Sequence, residues 1–266
     1  MCLGTKYQLA KVDGFVLVAN GSFVDLLPVV TCLGVTIDQE LTFTDHIQGL
    51  TGRCFHCLIQ LRPIRWMLTF DTIITIVNTV VISRIDYCNA VLAGVHEVHL
   101  WQLQQVLNAA AWLRVRKRKY DNISATMHDA LHWLPIRQHV DFKLCVTVFN
   151  SLHNLAPNYL STMCQLVTEN PSHQHLRSAA CGDLAVPETC TIRYGPRSFT
   201  VTGPSTWNSL PAFLSYCHLP SAFRCELKTE LFARAFFIST HDRFHCKSGQ
   251  TLTLSTHHHH IHHELL

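Results

Sequence analysis

The hydrophobic rhythm of the chain changes several times, and each change marks an element. Val12, Phe15-Val16-Leu17-Val18 and Leu33-Gly34-Val35-Thr36-Ile37 are β-branched or aromatic runs punctuated by Gly14, Asn20-Gly21 and Pro28, which predicts short β elements over 12–37. From Thr44 the period lengthens. Ile47, Leu50, Cys54, Leu58 and Leu61 recur at helical spacing until Pro63 stops the run. Thr69 then predicts a cap for a second helix, with Asp71 favourable in its first turn. Ile73, Ile76, Val77, Val80, Val81 and Ile85 form its apolar stripe, and Gly94 closes it. A third helix carries Leu100, Leu103, Val106, Leu107, Ala110 and Leu113 on one face. Further helices are expected at about 135–152, with Pro135 in the first turn, and at 157–167.

Beyond residue 170 the pattern breaks up. Pro171, Gly182, Pro187, Gly195, Pro196, Gly203 and Pro204 leave segments too short for helices, and Thr191-Ile192-Arg193-Tyr194 and Ser198-Phe199-Thr200-Val201 read as strands. Ser221 is placed to cap a last helix bearing Phe223, Leu227, Leu231 and Phe232. After Phe237 the periodicity dissolves into a tract with His257 to His260, Ile261, His262 and His263, a simple repeat or a damaged affinity tag that stands outside any fold. The expected class is α+β, mostly α: a small β fringe, a helical bundle, then a mixed carboxy-terminal region with short strands and a final helix.

Composition narrows the setting. The 266 residues can bury a proper core, yet only 15% are charged against a usual ~25%. A surface so short of charge fits a piece of a larger assembly, or a sequence drifting without selection for solubility. The formal charge of +3 implies no nucleic-acid partner by itself. Twelve cysteines lie at irregular spacing, and Met1 runs into Gly4-Thr5-Lys6-Tyr7-Gln8 without the apolar stretch of a secretory signal. They read as reduced thiols of an intracellular protein, in cytoplasm or nucleus. In that setting the Asn20-Gly21-Ser22 and Asn122-Ile123-Ser124 sequons carry no meaning. The most apolar run, Ile73 to Ile82, falls short of the ~20 residues of a membrane span.

Three patterns suggest chemistry. Arg114, Arg116, Lys117, Arg118 and Lys119 place five cations in six positions at the end of an amphipathic helix, and Tyr120 follows with a ring suited to stacking on a base or sugar. The structural alternative is that cations there simply complement the helix C-terminus. Arg53, Arg62, Arg65 and Arg84 would extend the surface if they shared a face. Cys54-Phe55-His56-Cys57 has the spacing of a metal or redox half-site, but no second CxxC completes it and Cys54 falls on the buried stripe, as a core cysteine would. His128-Asp129-Ala130-Leu131-His132 puts two imidazoles on one helical face, as in a zinc hydrolase. However, Asp is shorter than the usual Glu, Trp133-Leu134-Pro135 ends the helix, and His241-Asp242-Arg243-Phe244-His245 repeats the spacing in the tail. No Gly-rich phosphate loop or nucleophile elbow is present, and the closest acidic residues are Asp38 and Glu40. No cofactor and no metal site are expected.

Four phrases carry a resemblance: Ser83-Arg84-Ile85-Asp86-Tyr87-Cys88-Asn89, Leu131-His132-Trp133-Leu134-Pro135, Leu152-His153-Asn154-Leu155-Ala156-Pro157-Asn158-Tyr159-Leu160 and Trp207-Asn208-Ser209-Leu210-Pro211. In that order, and with Gly195-Pro196-Arg197-Ser198-Phe199 before Trp207, they resemble the end of the reverse-transcriptase polyprotein of non-LTR (LINE-type, jockey-like) retrotransposons. The resemblance covers about 4–237. It implies that Gly4 to Leu9, Leu33 to Asp38 and Leu41-Thr42-Phe43 are similar to the last palm strands and primer-grip turn, so that 1–43 is a palm remnant. It further implies a thumb-like region over 44–120, the family's carboxy-terminal region over 121–237, and a His-rich tail over 238–266. A thumb clasps the template–product duplex, so the resemblance implies that Arg114 to Lys119 stand beside RNA or an RNA–DNA duplex, with missing palm and fingers as a further partner.

In that family the polymerase carboxylates lie upstream, so no catalytic residue is expected in this chain. Pro63 stands where related sequences carry a basic or polar residue, and His56-Cys57 replaces an aromatic–basic pair. Since a proline inside a helix costs about 3 kcal/mol, the first thumb helix is expected to be shortened or kinked. Trp207 is expected to anchor a core. The competing readings are a fossil reading frame without a selected role and a metal-binding or hydrolytic protein.

Overall fold

The computed structural model describes residues 1–11, 17–19, 21–24, 26–115, 127, 131–169 and 182–236. The class is mostly-α α+β, as the sequence pattern leads one to expect. Among the described residues the strands form two separate antiparallel hairpins. β1 (Leu17–Ala19) pairs with β2 (Ser22–Val24), and β3 (Val29–Cys32) pairs with β4 (Val35–Asp38) in the register Val29↔Asp38. Leu33 and Gly34, expected inside a strand, instead form the connecting turn at φ 48° and 80°. Such a turn follows the twist of the flanking strands. Tyr87 holds it by donating from its hydroxyl to the Leu33 carbonyl at 2.6 Å. The opening segment, expected to be similar to a palm strand, holds one helical turn, α1 (Lys6–Leu9), where Gln8 Oε1 accepts from the Thr5 amide.

Asp38 turns the second hairpin into the helical part. Its carboxylate accepts from the amides of Glu40 (3.0 Å), Thr42 (2.9 Å) and Phe43 (2.7 Å) and from the Thr42 hydroxyl (3.1 Å). That cluster steadies Leu41 and Phe43 in left-handed backbone, at φ 52° and 59°. α2 (Thr44–Ile64) follows at once and buries Ile47, Leu50, Cys54 and Leu58, the expected stripe, with Leu61 half-buried. Pro63 sits in the last turn, and the helix ends one residue later, close to the stop expected from the sequence.

α3 (Phe70–Val77) begins at the expected cap: the Thr69 hydroxyl accepts from the Thr72 amide at 3.3 Å. It runs through a π turn, Asn78–Ile82, into α4 (Ser83–Asp86). The extra residue of a π turn rotates the stripe. Ile73, Val77, Val81 and Ile85 therefore remain buried and Ile82 joins them, while Ile76 and Val80 lie half-buried. The helix ends at Asp86, before Gly94, and a 3₁₀ turn, Asn89–Leu92, bridges the gap. α5 (Glu97–Val115) buries Leu100, Leu103, Val106, Leu107, Ala110 and Leu113 as read from the sequence. It packs chiefly on α2.

α6 (Ile136–Leu152) opens with Pro135 as the capping residue, one position outside the helix. The helix expected at 157–167 reduces to one turn, α7 (Asn158–Ser161), and a 3₁₀ turn, Val167–Glu169. The two strands expected near residues 191–201 are not strands. Thr191–Tyr194 is irregular, and Phe199 opens α8 (Phe199–Asn208), which contains Gly203 and Pro204. Burial of Trp207 and close approach to α6 override the local breakers: a Cβ on Gly203 would stand 3.2 Å from Val148 Cγ2. Between Leu166 and Leu184 there is a single antiparallel bridge. After α9 (Ala212–Ser215), the last helix among the described residues, α10 (Pro220–Ala235), has Leu219 as cap and Pro220 at its first position, so Ser221 lies in the first turn. Phe223, Leu227 and Leu231 are buried as expected, and Phe232 is half-buried.

Two hydrophobic cores result. The first joins α2 to α5 and takes Ile136, Val140 and Leu144 from α6. The second takes Cys145, Val148 and Phe149 from the same helix and closes it with Trp207, Leu214, Phe223 and Leu227.

The hairpin-to-helix junction makes stability sensitive to acid. His46 is buried, and its Nδ1 accepts from the Thr36 amide at 3.3 Å; burial, aided by Arg53, holds its pKa below 6.5. For Asp38, burial alone would raise the pKa, but its hydrogen bonds outweigh that and bring it below 3.8. Both shifts are depressions, so each contribution is present above the unfolded-state pKa and lost as pH falls. Stability measured by denaturant unfolding should fall in two stages, from about pH 6.5 downward and again below about pH 4. His46→Gln should remove the first stage and Asp38→Asn the second; unchanged pH profiles in both variants would contradict this account.

Candidate nucleic-acid interface

α5 is the element that leads to the basic run. Its apolar stripe is fixed against α2 and α6, so the direction of its last turn is set by packing. The backbone of Arg114 lies in that turn, while Arg116, Lys117, Arg118, Lys119 and Tyr120 lie outside the described residues. The four other arginines do not form one patch. Arg53 and Arg84 flank the Cys54–Cys57 side of α2, with Arg84 Nη1 3.6 Å from Cys57 Sγ. Arg62 falls on the opposite flank by helical spacing. Arg65 follows the end of α2 and lies 4.9 Å over the Trp66 ring.

The other patterns resolve into packing. Cys54 is fully buried, and that burial raises its thiol pKa, with Cys57 adding to the rise and Arg84 and Arg53 opposing it. A thiol so placed is a poor nucleophile and a poor ligand. Cys145 is more extreme: burial, together with nearby Asp141, pushes it up to about 12. Among the described residues no three His, Cys, Asp or Glu gather as a metal site. His128, Asp129, Ala130 and the 241–245 repeat lie outside the described residues; His132 has left-handed backbone at φ 50° and meets the Phe232 ring edge-on at 6.4 Å.

The four motif phrases hold the fold together. In the first, Ile85 is buried, Tyr87 ties down the β3–β4 turn, and Asp86 Oδ1 lies 2.8 Å from His139 Nδ1 of α6. In the second, Leu131, Trp133 and Leu134 are buried and Pro135 starts α6. In the third, His153 stacks on Phe149 at 4.0 Å and Asn154 takes the left-handed position just past α6, at φ 56°. In the fourth, Trp207 is buried 5.6 Å from Phe223, as expected of a core anchor. Its neighbour Asn208 pairs with the Leu184 backbone in both directions, at 2.8 Å each way. Ser209 receives two hydrogen bonds from Arg234 of α10.

Sequence reasoning missed one residue of this network. Arg197, in the Gly195-Pro196-Arg197 turn, donates to the Leu41 carbonyl at 2.7 Å and to the Ala93 carbonyl at 3.4 Å, and its guanidinium lies 5.7 Å from the Phe43 ring. Burial first, then Arg193, lowers its pKa. Beside it Arg193 pairs with Glu40 at 2.9 Å. Gly94, at φ 66°, leaves the room: a Cβ there would stand 2.7 Å from Arg197 Cγ. The only trace of this in the sequence is the Gly-Pro-Arg turn. Near Asn208 a cleft of about 260 Å³ is lined by Trp207, Asn208, Leu210, Ala212, Ser215 and Asp183, but its Trp and Asn polar atoms are engaged with Gly182 and Leu184.

No family model, curated protein or solved structure matches the chain. No described helix is long and apolar enough to cross a membrane.

If the fourth phrase is structural, Asn208→Ala should cost about 2–4 kcal/mol in denaturant unfolding, because it strands a buried amide and carbonyl together. Asn208→Asp keeps the acceptor and should cost less. A neutral Asn208→Ala would show that the paired backbone of Leu184 finds water instead.

Proposed function

We propose that the chain is a retrotransposon-derived reverse-transcriptase fragment that binds RNA or an RNA–DNA duplex through the end of α5 and performs no catalysis of its own. The observation that carries this reading is the fixed course of α5. Its buried face, from Leu100 to Leu113, holds the helix in place, Arg114 belongs to its last turn, and Arg116, Lys117, Arg118, Lys119 and Tyr120 follow in the sequence. Lys/Arg clusters supply phosphate contacts and release counterions, and an adjoining aromatic ring adds stacking that is tolerant of sequence. The order of the four phrases supports the retrotransposon origin. Their roles in capping and packing give a reason for those residue types to stand together.

Binding to a labelled RNA–DNA hybrid should weaken steeply with salt. Replacing Arg116, Lys117, Arg118 and Lys119 by Glu should reduce affinity at least tenfold and flatten the salt dependence by about 0.9 for each phosphate no longer neutralised. Equal binding by that variant removes the nucleic-acid reading. Primer extension by the purified chain with magnesium and nucleotides would overturn the non-catalytic half.

A further inference from the structure

Two exposed thiols meet at one phenol. Cys32 ends β3, and Cys88 follows Tyr87, whose hydroxyl donates to the Leu33 carbonyl at 2.6 Å. Cys32 pairs with Val35 across the Leu33-Gly34 turn, and directly opposed residues of a hairpin point to the same face. Val35 is buried in the first core, so the Cys32 side chain stands on the helix-facing side of the hairpin tip. From the other side, Cys88 takes left-handed backbone at φ 53°, which turns the chain sharply just after Tyr87. The Tyr87 hydroxyl is held above its ordinary pKa first by a hydrogen bond with the Cys88 side chain, then by the charge of that thiol, by burial and by the charge of Cys32. Two sulfurs from distant parts of the chain thus act on the same oxygen. Cys54 and Cys57 offer no rival pair, because Cys54 is fully buried.

We infer that Cys32 and Cys88 form a reversible disulfide that locks the β3–β4 turn to the end of α4 under oxidising conditions. In the reduced chain the Tyr87 hydroxyl ties this junction by a hydrogen bond, and in the oxidised chain a covalent bond takes over. The oxidant is a small disulfide such as oxidised glutathione. Cys88 attacks one of its sulfurs, which forms a mixed disulfide and releases one glutathione carrying the Cys88 proton. Cys32 then attacks the Cys88 sulfur, which closes the Cys32–Cys88 bond and releases the second glutathione carrying the Cys32 proton. Two protein thiols are oxidised and one glutathione disulfide is reduced to two thiols. Closure brings the two Cα atoms to about 5.5–6 Å. The hairpin tip can yield to this, since Leu33 is 84% exposed and Tyr87 52%. Both thiols are free and open to solvent, as a transient redox pair of an intracellular protein requires. Neither belongs to the basic run, so the lock does not depend on nucleic-acid binding.

The test equilibrates the full chain in glutathione buffers of increasing oxidised fraction, then alkylates it and cuts it with trypsin. Cys32 falls alone in the tryptic peptide 12–53 and Cys88 alone in 85–114, so mass spectrometry identifies their linkage without ambiguity. The linked pair, two hydrogens lighter than the reduced peptides together, should grow with the oxidised fraction in monomeric protein and vanish with dithiothreitol. Oxidation should raise the thermal midpoint by about 4–8 °C. Cys32→Ser and Cys88→Ser should each abolish the linked peptide and the rise, whereas Cys190→Ser, at another exposed thiol, should leave both unchanged. Should a serine variant fold poorly, the wild-type peptide map decides alone. Separate glutathione adducts on Cys32 and Cys88 without their linkage would overturn the proposal, and so would a bond from either to a different cysteine. It is equally overturned by linkage confined to a dimer or to the urea-unfolded chain, and by linkage that leaves the thermal midpoint unmoved.

Discussion

α6 has no solvent face wide enough to spare: Ile136, Val140 and Leu144 are buried in one core, and Cys145, Val148 and Phe149 in the other. A helix buried along two sides must satisfy both neighbours at once. Each large side chain it buries is worth roughly 1.5–3 kcal/mol relative to exposure. α2 and α5 close the first core around the start of α6, and α8 and α10 close the second around its end. The two halves therefore share one wall, and neither can shed its own side of that wall without exposing part of the other core.

Arg197 reinforces this sharing from the far side of the chain. Its guanidinium reaches the carbonyls of Leu41 and Ala93, more than a hundred residues earlier. Leaving water costs a cation a good deal, and two carbonyl acceptors with an aromatic face offset part of that cost. The geometry has a further requirement, the missing side chain of Gly94. Together with Arg193 and Glu40, the contact fixes the β4–α2 turn that Asp38 organises. The phrases that look most like signatures in the sequence thus act as caps, core anchors and long-range ties.

The sequence was most legible where burial follows one period and the partner is near. The stripes of α2 and α5, the Thr69 cap and the apolar face of α10 are all such cases. It was misleading where a distant contact outweighs local preference. Phe199 to Val201 look like a strand by composition, yet they wind into a helix because Trp207 and Phe199 need the space beside α6. Leu33 and Gly34 look like strand residues, yet Tyr87 stabilises them as a turn. The π turn at 78–82 adds one residue to a helical repeat that periodicity alone cannot resolve. The basic run was legible in its residue types alone, and Arg116 to Tyr120 lie outside the described residues. Arg197 and Asp38 were illegible as partners, since nothing in a single sequence states that Leu41 will meet a side chain from position 197.

The central claim is that the shared helix makes the two cores one cooperative unit. Native-state hydrogen exchange on the wild type and on Val148→Ala, which trims only the second-core side of α6, measures this most directly. The account predicts that the slowest amides of α5 and of α10 share one opening free energy, and that the substitution lowers both by the same amount. Loss of protection confined to α8 and α10, with α5 unchanged, would contradict it.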